Sequence, residues 1–153
     1  MNKQVWIEKA LGLGIQEFEI YQSTTVEKEM TWFQGQMDTL VSSKVTGTSI
    51  RGIVDGKMAN MALEEIDDSM CETVLKSLIE QAHIISNEET DSLRKPEPIE
   101  YAKKDVTWNM ASTEYVKDVL QSLEAKILAY DPRVIQVGYL GYSQGSGSRS
   151  IVN

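Results

Sequence analysis

The pair Asp55-Gly56 constrains the fold more than any other feature of this sequence, because two alternating stretches meet there. Around it, from Gly47 to Met61, apolar and polar side chains alternate with the period of a β-strand. Aspartate and glycine suit the two central positions of a type I′ turn, since both positions need positive φ. The sequence therefore predicts a hairpin in which Arg51 lies opposite Asn60.

The two faces of this hairpin differ in polarity. The apolar face carries Ile50, Gly52, Val54, Ala59, Met61 and Leu63. Gly52 leaves a shallow spot on that face, which favours the close approach of a helix. Arg51 and Asn60 lie on the other face, where we predict a candidate interface with another subunit or another repeat. We expect Arg51→Ala to leave the domain folded and to alter association at most.

A helix and a long strand precede the hairpin. Apolar residues at helical spacing predict a first helix over residues 3–13, ended by Gly12 and Gly14. From Glu17 the period changes to two, which predicts a strand. Because that strand is unusually long, we expect a bend or break near residues 22–25.

Further strands and a covering helix complete the first half of the chain. Gln34-Gly35 fits a two-residue hairpin loop, so the next strand runs to about Val45, and Gly47 begins another. Apolar residues at intervals of four then predict a helix over residues 68–86, with a capping box that begins at Ser69. The apolar face of this helix is expected to lie on the sheet.

The second half of the chain contains fewer elements. Residues 87–111 are polar and contain two prolines, which predicts an exposed linker. Residues 113–130 predict another helix, and residues 134–143 alternate as a strand. The glycine and serine residues at 145–148 are expected to turn the chain into a last strand.

Together these elements predict an α+β fold. It consists of a helix, a four-stranded antiparallel meander and a covering helix, followed by a partial second unit of a helix and a hairpin. We assign residues 1–86 to the first unit, 87–111 to the linker and 112–153 to the start of the second unit. Because the second unit stops after one hairpin, we expect it to be truncated and the chain to be part of a longer protein.

Charge and composition limit the function. The net charge of -8 opposes direct binding of nucleic acid, since phosphate neutralisation depends on clustered lysine and arginine. No apolar run approaches the roughly 20 residues of a membrane helix, and the charged N-terminus lacks the apolar centre of a secretion signal. We therefore expect a cytoplasmic protein without direct membrane contact.

The sequence predicts no catalytic, cofactor-binding or metal-binding residue. His83 is the only histidine, which excludes every metal motif that needs two. The only cysteine, Cys71, lies twelve residues away on the same predicted helix, about 18 Å at 1.5 Å per residue. The two side chains therefore cannot form a nucleophilic pair.

Three other patterns favour structural interpretations. A cluster of four acids could attract a divalent cation, but it is more typical of the polar entry to a helix. Its members are Glu64, Glu65, Asp67 and Asp68. The run Gly145–Arg149 leads into a strand, so a turn is favoured over a phosphate loop. Trp32, Phe33 and Met37 around the first turn could line a ligand groove, but a core or a subunit interface is favoured.

The chain resembles the N-terminal region of the TldD/PmbA family, whose members are also described as candidate modulators of DNA gyrase. The similar features are the helix ending in Ala-Leu-Gly-Leu-Gly at residues 10–14, the Glu-x-Glu-x-Tyr strand at 17–21, the Gly35 turn, the Gly-x-x-Ile-Arg-Gly-Ile-Val-Asp-Gly-Lys segment at 47–57, and the helix with Leu78 and Ala82. The long linker with Pro96 and Pro98 is more similar to the PmbA (TldE) branch.

The resemblance implies a cytoplasmic subunit of a peptide-processing assembly, in which a TldD-like chain carries zinc and a PmbA-like chain partners it. The family's zinc motif, His-Glu-x-x-x-His, lies beyond the region matched here, so no residue inherits a ligand or a catalytic role. This implies a noncatalytic role in assembly, with a TldD-like partner or by self-association, and in forming the chamber that receives a peptide substrate. The alternative is a self-contained small-ligand or peptide-binding module, with Trp32, Met37 and Tyr21 near a groove.

Overall fold

The computed structural model describes residues 1–64, 66–86, 88–95 and 109–153. The elements in chain order are α1 (Lys3–Gly12), β1 (Glu17–Phe33), β2 (Gln36–Val54), β3 (Lys57–Leu63), a 3₁₀ turn (Asp68–Met70), α2 (Cys71–Ile84), α3 (Thr113–Tyr130) and β4 (Leu140–Val152). The strands form one sheet in the order β3-β2-β1-β4. The predicted α+β class with a four-stranded antiparallel sheet is confirmed.

Both predicted hairpin loops are present. Gln34 and Gly35 have φ values of 49° and 77°, and Asp55 and Gly56 have values of 49° and 73°. Positive φ at both central positions is the geometry that a type I′ turn requires. The loop at Asp55 sets the predicted register of β2 against β3, in which Arg51 lies opposite Asn60.

Two glycine-containing stretches were predicted to separate one strand from the next, but each lies inside a continuous strand. β2 passes through Gly47 without interruption, and the hydroxyls of Thr24 and Thr46 hydrogen-bond at 2.9 Å beside it. β4 likewise passes through Gly145. A Cβ at Gly145 would lie 3.3 Å from Cγ of Glu27, so glycine here permits close approach and makes no turn. The predicted terminal hairpin is therefore one strand.

The described chain divides into two compact units. The first comprises Met1–Thr24, Thr46–Tyr101 and Ser148–Asn153, and the second comprises Thr25–Val45 and Ala102–Gly147. β1 runs unbroken across the boundary after Thr24, where the sequence predicted a bend or break.

The first unit buries an apolar core formed by α1, α2 and the strands. Its buried members are Trp6, Ala10, Ile15, Phe18, Ile20, Ile50, Val54, Ala59, Cys71, Val74, Leu75, Leu78 and Ala82. Gly52 lies in this face, and a Cβ added there would come 2.8 Å from Cδ2 of Leu78 and 3.0 Å from Cγ2 of Ile15. The predicted close approach of α2 at Gly52 is thereby confirmed.

The start of α2 differs from its predicted capping box. A 3₁₀ turn precedes the helix, and the side chain of Asp67 accepts a 2.7 Å hydrogen bond from the backbone N–H of Ser69. Asp67 therefore supplies the cap that was assigned to Ser69. An aspartate before a helical turn satisfies its free N–H groups at least as well as a serine does.

The second unit has a smaller core between β1, α3 and the start of β4. Met30, Trp32, Val116 and Leu120 are buried in it, with Ala111, Leu140 and Tyr142 packed against them. The predicted apolar face of α3 is only partly covered, since Val119 and Leu123 are each 42% exposed.

The predicted linker contains no helix or strand in its described residues, 88–95 and 109–111. Its remaining residues, 87 and 96–108, lie outside the described part of the chain. Asp91 donates its backbone N–H to the carbonyl of Gly56 at 2.9 Å and accepts from the N–H of Met58 at 3.0 Å. This part of the segment is therefore fixed to the β2–β3 hairpin. The assigned unit boundaries stay a prediction.

Candidate functional site

Arg51, the main residue of the predicted interface, forms an ion pair with Glu19 of β1. The Nε and Nη2 atoms of Arg51 lie 3.0 and 2.5 Å from Oε1 of Glu19. The side chain of Glu19 is 8% exposed, whereas that of Arg51 is 46% exposed. The guanidinium thus compensates a buried carboxylate with one side and faces solvent with the other.

This pair gives Arg51 a role that the sequence interpretation missed. Removing the guanidinium would leave the carboxylate of Glu19 buried without its partner, which costs folding free energy. We still expect Arg51→Ala to leave the domain folded, but the ion pair with Glu19 adds an expected loss of stability to any change in association. A signal was present in the sequence, since Glu19 and Arg51 both occupy the polar side of alternating strands.

Asn60 lies opposite Arg51 on β3, and its side chain is exposed. The two candidate interface residues are therefore neighbours on one surface, as the register predicts. The part of Arg51 that faces solvent, together with Asn60, could contact a partner without disturbing the Glu19 pair. Their assignment as an interface stays a prediction.

Glu124 of α3 is a buried acid that sequence reasoning did not single out. Its Oε2 accepts a 2.7 Å hydrogen bond from Nε1 of Trp32 and a 3.0 Å bond from the backbone N–H of Gly35. The side chain therefore ties α3 to the loop between β1 and β2. Its position, four and eight residues after buried Leu120 and Val116, places an acid on an apolar stripe. An acid at this position on the apolar stripe was the sequence feature that could have identified Glu124 as a buried residue.

The aromatic groove considered for a ligand does not form around Trp32. The ring of Trp32 is 1% exposed and belongs to the core of the second unit, as the core interpretation predicts. Met37 is 43% exposed, and Tyr21 lies in the first unit.

The acidic cluster before α2 has structural partners. Oδ1 of Asp68 accepts from the backbone N–H of Asn2 at 2.8 Å and from Nε1 of Trp6 at 2.9 Å. These two hydrogen bonds hold the pKa of Asp68 below its ordinary value. Hydrogen bonds from the side chain and backbone of Ser69 lower the pKa of Asp67. The two carboxylates thus serve different local groups; Glu65 lies outside the described residues.

No group of three or more potential metal-binding side chains occurs among the residues that the structure describes. Cys71 and His83 both lie on α2, which confirms that they are too far apart to act as a pair. Cys71 is buried, and its removal from solvent raises the pKa of its thiol. Nε2 of His83 lies 3.6 Å from Oδ2 of Asp55 at the hairpin loop.

A cavity of about 280 Å³ opens beside α1 in the first unit. Its lining residues are Ile7, Leu11, Gln16, Glu17, Phe18, Leu93, Arg94, Lys95 and Asn153. The backbone N–H of Leu93 donates to Oε2 of Glu17 at 2.5 Å, which holds one wall against the start of β1. The cavity therefore combines apolar walls with two basic side chains from one segment.

In the described part of the chain, no helix is long and apolar enough to cross a membrane.

These features define a helix-covered antiparallel sheet in which polar side chains such as those of Arg51 and Asp68 hold neighbouring elements together. Residues 18–86 match the family model described as PmbA/TldA metallopeptidase domain 1. The predicted resemblance to the N-terminal region of the TldD/PmbA family is thereby confirmed. No curated protein sequence matches the chain significantly.

Several solved structures share this fold. TldE from Thermococcus kodakarensis matches with a TM-score of 0.79 and 18% identity, over 98% of this chain and 34% of that one. A candidate modulator of a DNA gyrase from Thermotoga maritima matches with a TM-score of 0.75 and 17% identity, over 98% of this chain and 34% of that one.

A third match is a candidate modulator of DNA gyrase from Bacteroides thetaiotaomicron, with a TM-score of 0.66 and 19% identity. The alignment covers 97% of this chain and 35% of that structure. This chain therefore spans about a third of the length of the solved structures that it matches.

Proposed function

We propose that this chain is a noncatalytic N-terminal portion of a PmbA/TldE-like subunit in a cytoplasmic peptide-processing metalloprotease of the TldD/PmbA type. The observation that carries the proposal is the match of residues 18–86 to the first domain of that metallopeptidase family. The fold shared with TldE from Thermococcus kodakarensis supports the PmbA/TldE branch. The chain's role is then to assemble with a partner and to help shape the chamber that receives peptide.

The chemistry of the described residues is consistent with a noncatalytic role. The sequence holds one histidine, so the His-Glu-x-x-x-His motif that the family resemblance implies has no counterpart in it. Zinc, when present in the assembly, would act as the Lewis acid for peptide hydrolysis on the partner subunit. The residues here would contribute surface and shape.

The proposed partner is a TldD-like subunit, contacted through the surface around Arg51 and Asn60. Arg51 is suited to this contact because its guanidinium is already oriented by Glu19 while about half of its side chain faces solvent. An oriented guanidinium loses less conformational freedom on binding than a free one. Direct binding of DNA gyrase or nucleic acid is not part of the proposal.

The experiment has two arms. The purified chain is incubated with zinc and an unfolded peptide, and no cleavage above the protein-free control is expected. The same chain is then tested for binding to a purified TldD-like protein by calorimetry, with Asn60→Asp and Lys76→Ala compared. Weaker binding by the Asn60 variant alone supports the proposed surface. Robust zinc-dependent cleavage by the chain alone would overturn the noncatalytic role.

A second candidate function, a self-contained peptide or small-ligand module, is favoured by the cavity beside α1. Its apolar walls and its basic residues Arg94 and Lys95 suit a ligand with an apolar body and an acidic group. Binding of acidic unfolded peptides to the chain alone, weakened by Leu11→Asp and unchanged by Lys126→Ala, would support this function. If the chain alone does not bind these peptides, the binding module is excluded and assembly with a partner is the remaining proposal.

A further inference from the structure

Another cavity, of about 330 Å³, opens in the second unit between the β1–β2 loop, α3 and the segment that follows α3. Its lining includes Gln34, Gly35, Glu124, Leu128, Ile135 and Val137. Its volume lies in the range of protein pockets that hold small ligands. The cavity, called the Glu124 pocket below, thus brings one buried acid together with three apolar side chains.

Both polar walls of the Glu124 pocket are held by hydrogen bonds. The backbone N–H of Val134 donates to the carbonyl of Asp131 at 2.8 Å, and Oδ1 of Asp131 accepts from the backbone N–H of Arg133 at 2.9 Å. This turn sets the direction of the segment that carries Ile135. On the other side, Glu124 holds the β1–β2 loop through Gly35. The pocket is therefore formed before a ligand enters it.

The carboxylate of Glu124 has acceptor capacity left on one oxygen. Oε2 accepts from Nε1 of Trp32 at 2.7 Å and from the backbone N–H of Gly35 at 3.0 Å, which occupies both of its lone pairs. Within the described chain, Oε1 accepts only the longer branch of the Gly35 bond, at 3.2 Å. Both donors are uncharged, so they orient the carboxylate without neutralising it.

The charge of Glu124 has no cationic partner among the described residues. Arg133, the one basic residue of the segment 131–139, pairs with Asp131 through Nε at 2.9 Å and Nη2 at 2.7 Å. Glu124 is 7% exposed, and a carboxylate removed from water to this extent is stabilised by any cation that reaches it. The net charge of -8 also attracts cations to the chain. The pocket therefore favours a cationic ligand.

The apolar walls decide which kind of cation fits. A magnesium or calcium ion takes six or more oxygen ligands, which one carboxylate among apolar side chains does not supply. An alkylammonium group needs one acceptor oxygen and lays its methylene stem along apolar surface. Leu128 and Ile135 offer that surface, since they are 38% and 90% exposed. A bidentate guanidinium needs both oxygens of a carboxylate, and Oε2 of Glu124 is already occupied.

We propose that the Glu124 pocket binds an alkylammonium group. The ammonium donates to Oε1 of Glu124, and the methylene stem lies against Leu128, Ile135 and Val137. Two sources supply this chemistry: the lysine side chain of an extended peptide and a free alkylamine. The proposal concerns a different surface from that of Arg51 and Asn60, and it does not depend on a metalloprotease assembly.

The chemistry of the ligand is tested with blocked pentapeptides, acetylated and amidated so that the central side chain carries the only charge. Gly-Gly-Lys-Gly-Gly is compared with peptides that have norleucine or arginine at the centre. Each is titrated into the isotope-labelled chain, and NMR follows the indole N–H of Trp32 and the backbone N–H of Gly35. The lysine peptide is expected to shift both resonances. It is expected to bind about tenfold or more tighter than the norleucine peptide, which has the same four-carbon stem without the charge.

The same titration distinguishes the two sources of the group. n-Butylammonium chloride has the stem and charge of lysine without a peptide backbone, and sodium chloride at equal ionic strength is its control. Tighter binding of the lysine peptide than of n-butylammonium would identify a peptide lysine as the ligand. Equal affinities would identify a free alkylamine. The arginine peptide is expected to bind more weakly than the lysine peptide.

Two matched pairs of variants test the protein side. Glu124→Gln removes the charge and keeps one acceptor oxygen, whereas Asp118→Asn removes an exposed charge from the same helix. The first is expected to raise the Kd of the lysine peptide about tenfold or more, and the second to change it by less than about twofold. Ile135→Ser is expected to weaken binding by about threefold or more. Ile84→Ser, at an 81% exposed position of the first unit, is expected to leave it unchanged.

Four results would overturn the proposal. One is the absence of shifts at Trp32 and Gly35 with about 10 mM lysine peptide, a concentration that populates even a weak site. Equal binding of the lysine and norleucine peptides would show that the charge is not recognised, and this comparison holds even if Glu124→Gln is unstable. Equal weakening by Glu124→Gln and Asp118→Asn would trace the binding to net charge alone. Tighter binding of the arginine peptide would exclude the ammonium assignment. None of these results affects the assay of zinc-dependent cleavage or of TldD-like binding.

Discussion

The indole Nε1 of Trp32 donates a 2.7 Å hydrogen bond to Oε2 of Glu124, and both residues are buried. The same carboxylate accepts from the backbone N–H of Gly35 at 3.0 Å. One acid thus accepts from a buried indole and from a loop amide, and it joins α3 to the β1–β2 loop. A buried acid is retained at low cost only where such donors surround it.

Glu124→Ala is expected to destabilise the protein by about 1–3 kcal/mol, because it leaves the buried indole N–H of Trp32 without an acceptor. Glu124→Gln keeps one acceptor oxygen and is expected to lose less. Urea unfolding followed by tryptophan fluorescence measures both free energies of unfolding. Lys126→Ala, at an exposed position of the same helix, is the control. Equal stability of the Glu124→Ala and Lys126→Ala proteins would contradict this role.

Arg51→Ala is expected to lower the free energy of unfolding by about 1–3 kcal/mol, since the buried carboxylate of Glu19 loses its charged donor. The double variant Glu19→Gln/Arg51→Ala is expected to recover part of that loss, because the unpaired charge is gone. Arg133→Ala is a matched control: that arginine is 90% exposed and pairs with Asp131 at the surface. Its expected effect is within about 0.5 kcal/mol.

The β2–β3 hairpin was predictable because residues close together in the sequence determine its turn, register and faces. Asp55-Gly56 needs positive φ at both positions, the loop length fixes the register, and the alternation then assigns each side chain to a face. The position of Gly52 against α2 followed from that register. For the same reason, the loop and the alternation alone place Arg51 and Asn60 side by side on the polar face.

Other features depended on distant parts of the chain. The burial of Glu19 and its pairing with Arg51 join residues from two strands, and the local pattern shows only that both are polar. Gly145 was predicted to form a turn, whereas its role is to let β4 approach β1 at Glu27. Glycine occurs both in turns and where two strands approach closely. Only knowledge of the neighbouring strand therefore distinguishes these two roles at Gly145.

Gly52→Ala is expected to destabilise the first unit by about 1–3 kcal/mol, because the added methyl group would overlap the buried side chains of Leu78 and Ile15. Gly47→Ala is the matched control on the same strand. No atom lies within 4 Å of a Cβ built at Gly47, whose φ is not positive. There the substitution is expected to be neutral or to stabilise by up to about 1 kcal/mol. Thermal and urea unfolding measure both, and a destabilised Gly47→Ala with an unchanged Gly52→Ala would refute the packing argument.

The contact of Asp68 with α1 is expected to make stability depend on acid pH. Hydrogen bonds from the backbone N–H of Asn2 and the indole of Trp6 lower the pKa of Asp68 in the folded state. The folded protein then binds a proton less readily than the unfolded chain, so this stabilisation is fully present above the ordinary aspartate pKa and is lost as the pH falls through the lowered value.

The melting temperature of the wild-type protein and of Asp68→Asn, measured from pH 7 down to pH 2, tests this dependence. Asparagine keeps an oxygen that can accept from Trp6, but it does not titrate. The variant is therefore expected to melt at a lower temperature than the wild type at pH 7, with the difference shrinking toward pH 2 as Asp68 itself becomes protonated. Asp118→Asn is a suitable control, because its carboxylate lies at an exposed position of α3 in the second unit. A difference between wild type and Asp68→Asn that stays constant across this range would show that the charge of Asp68 contributes nothing to the attachment of α1.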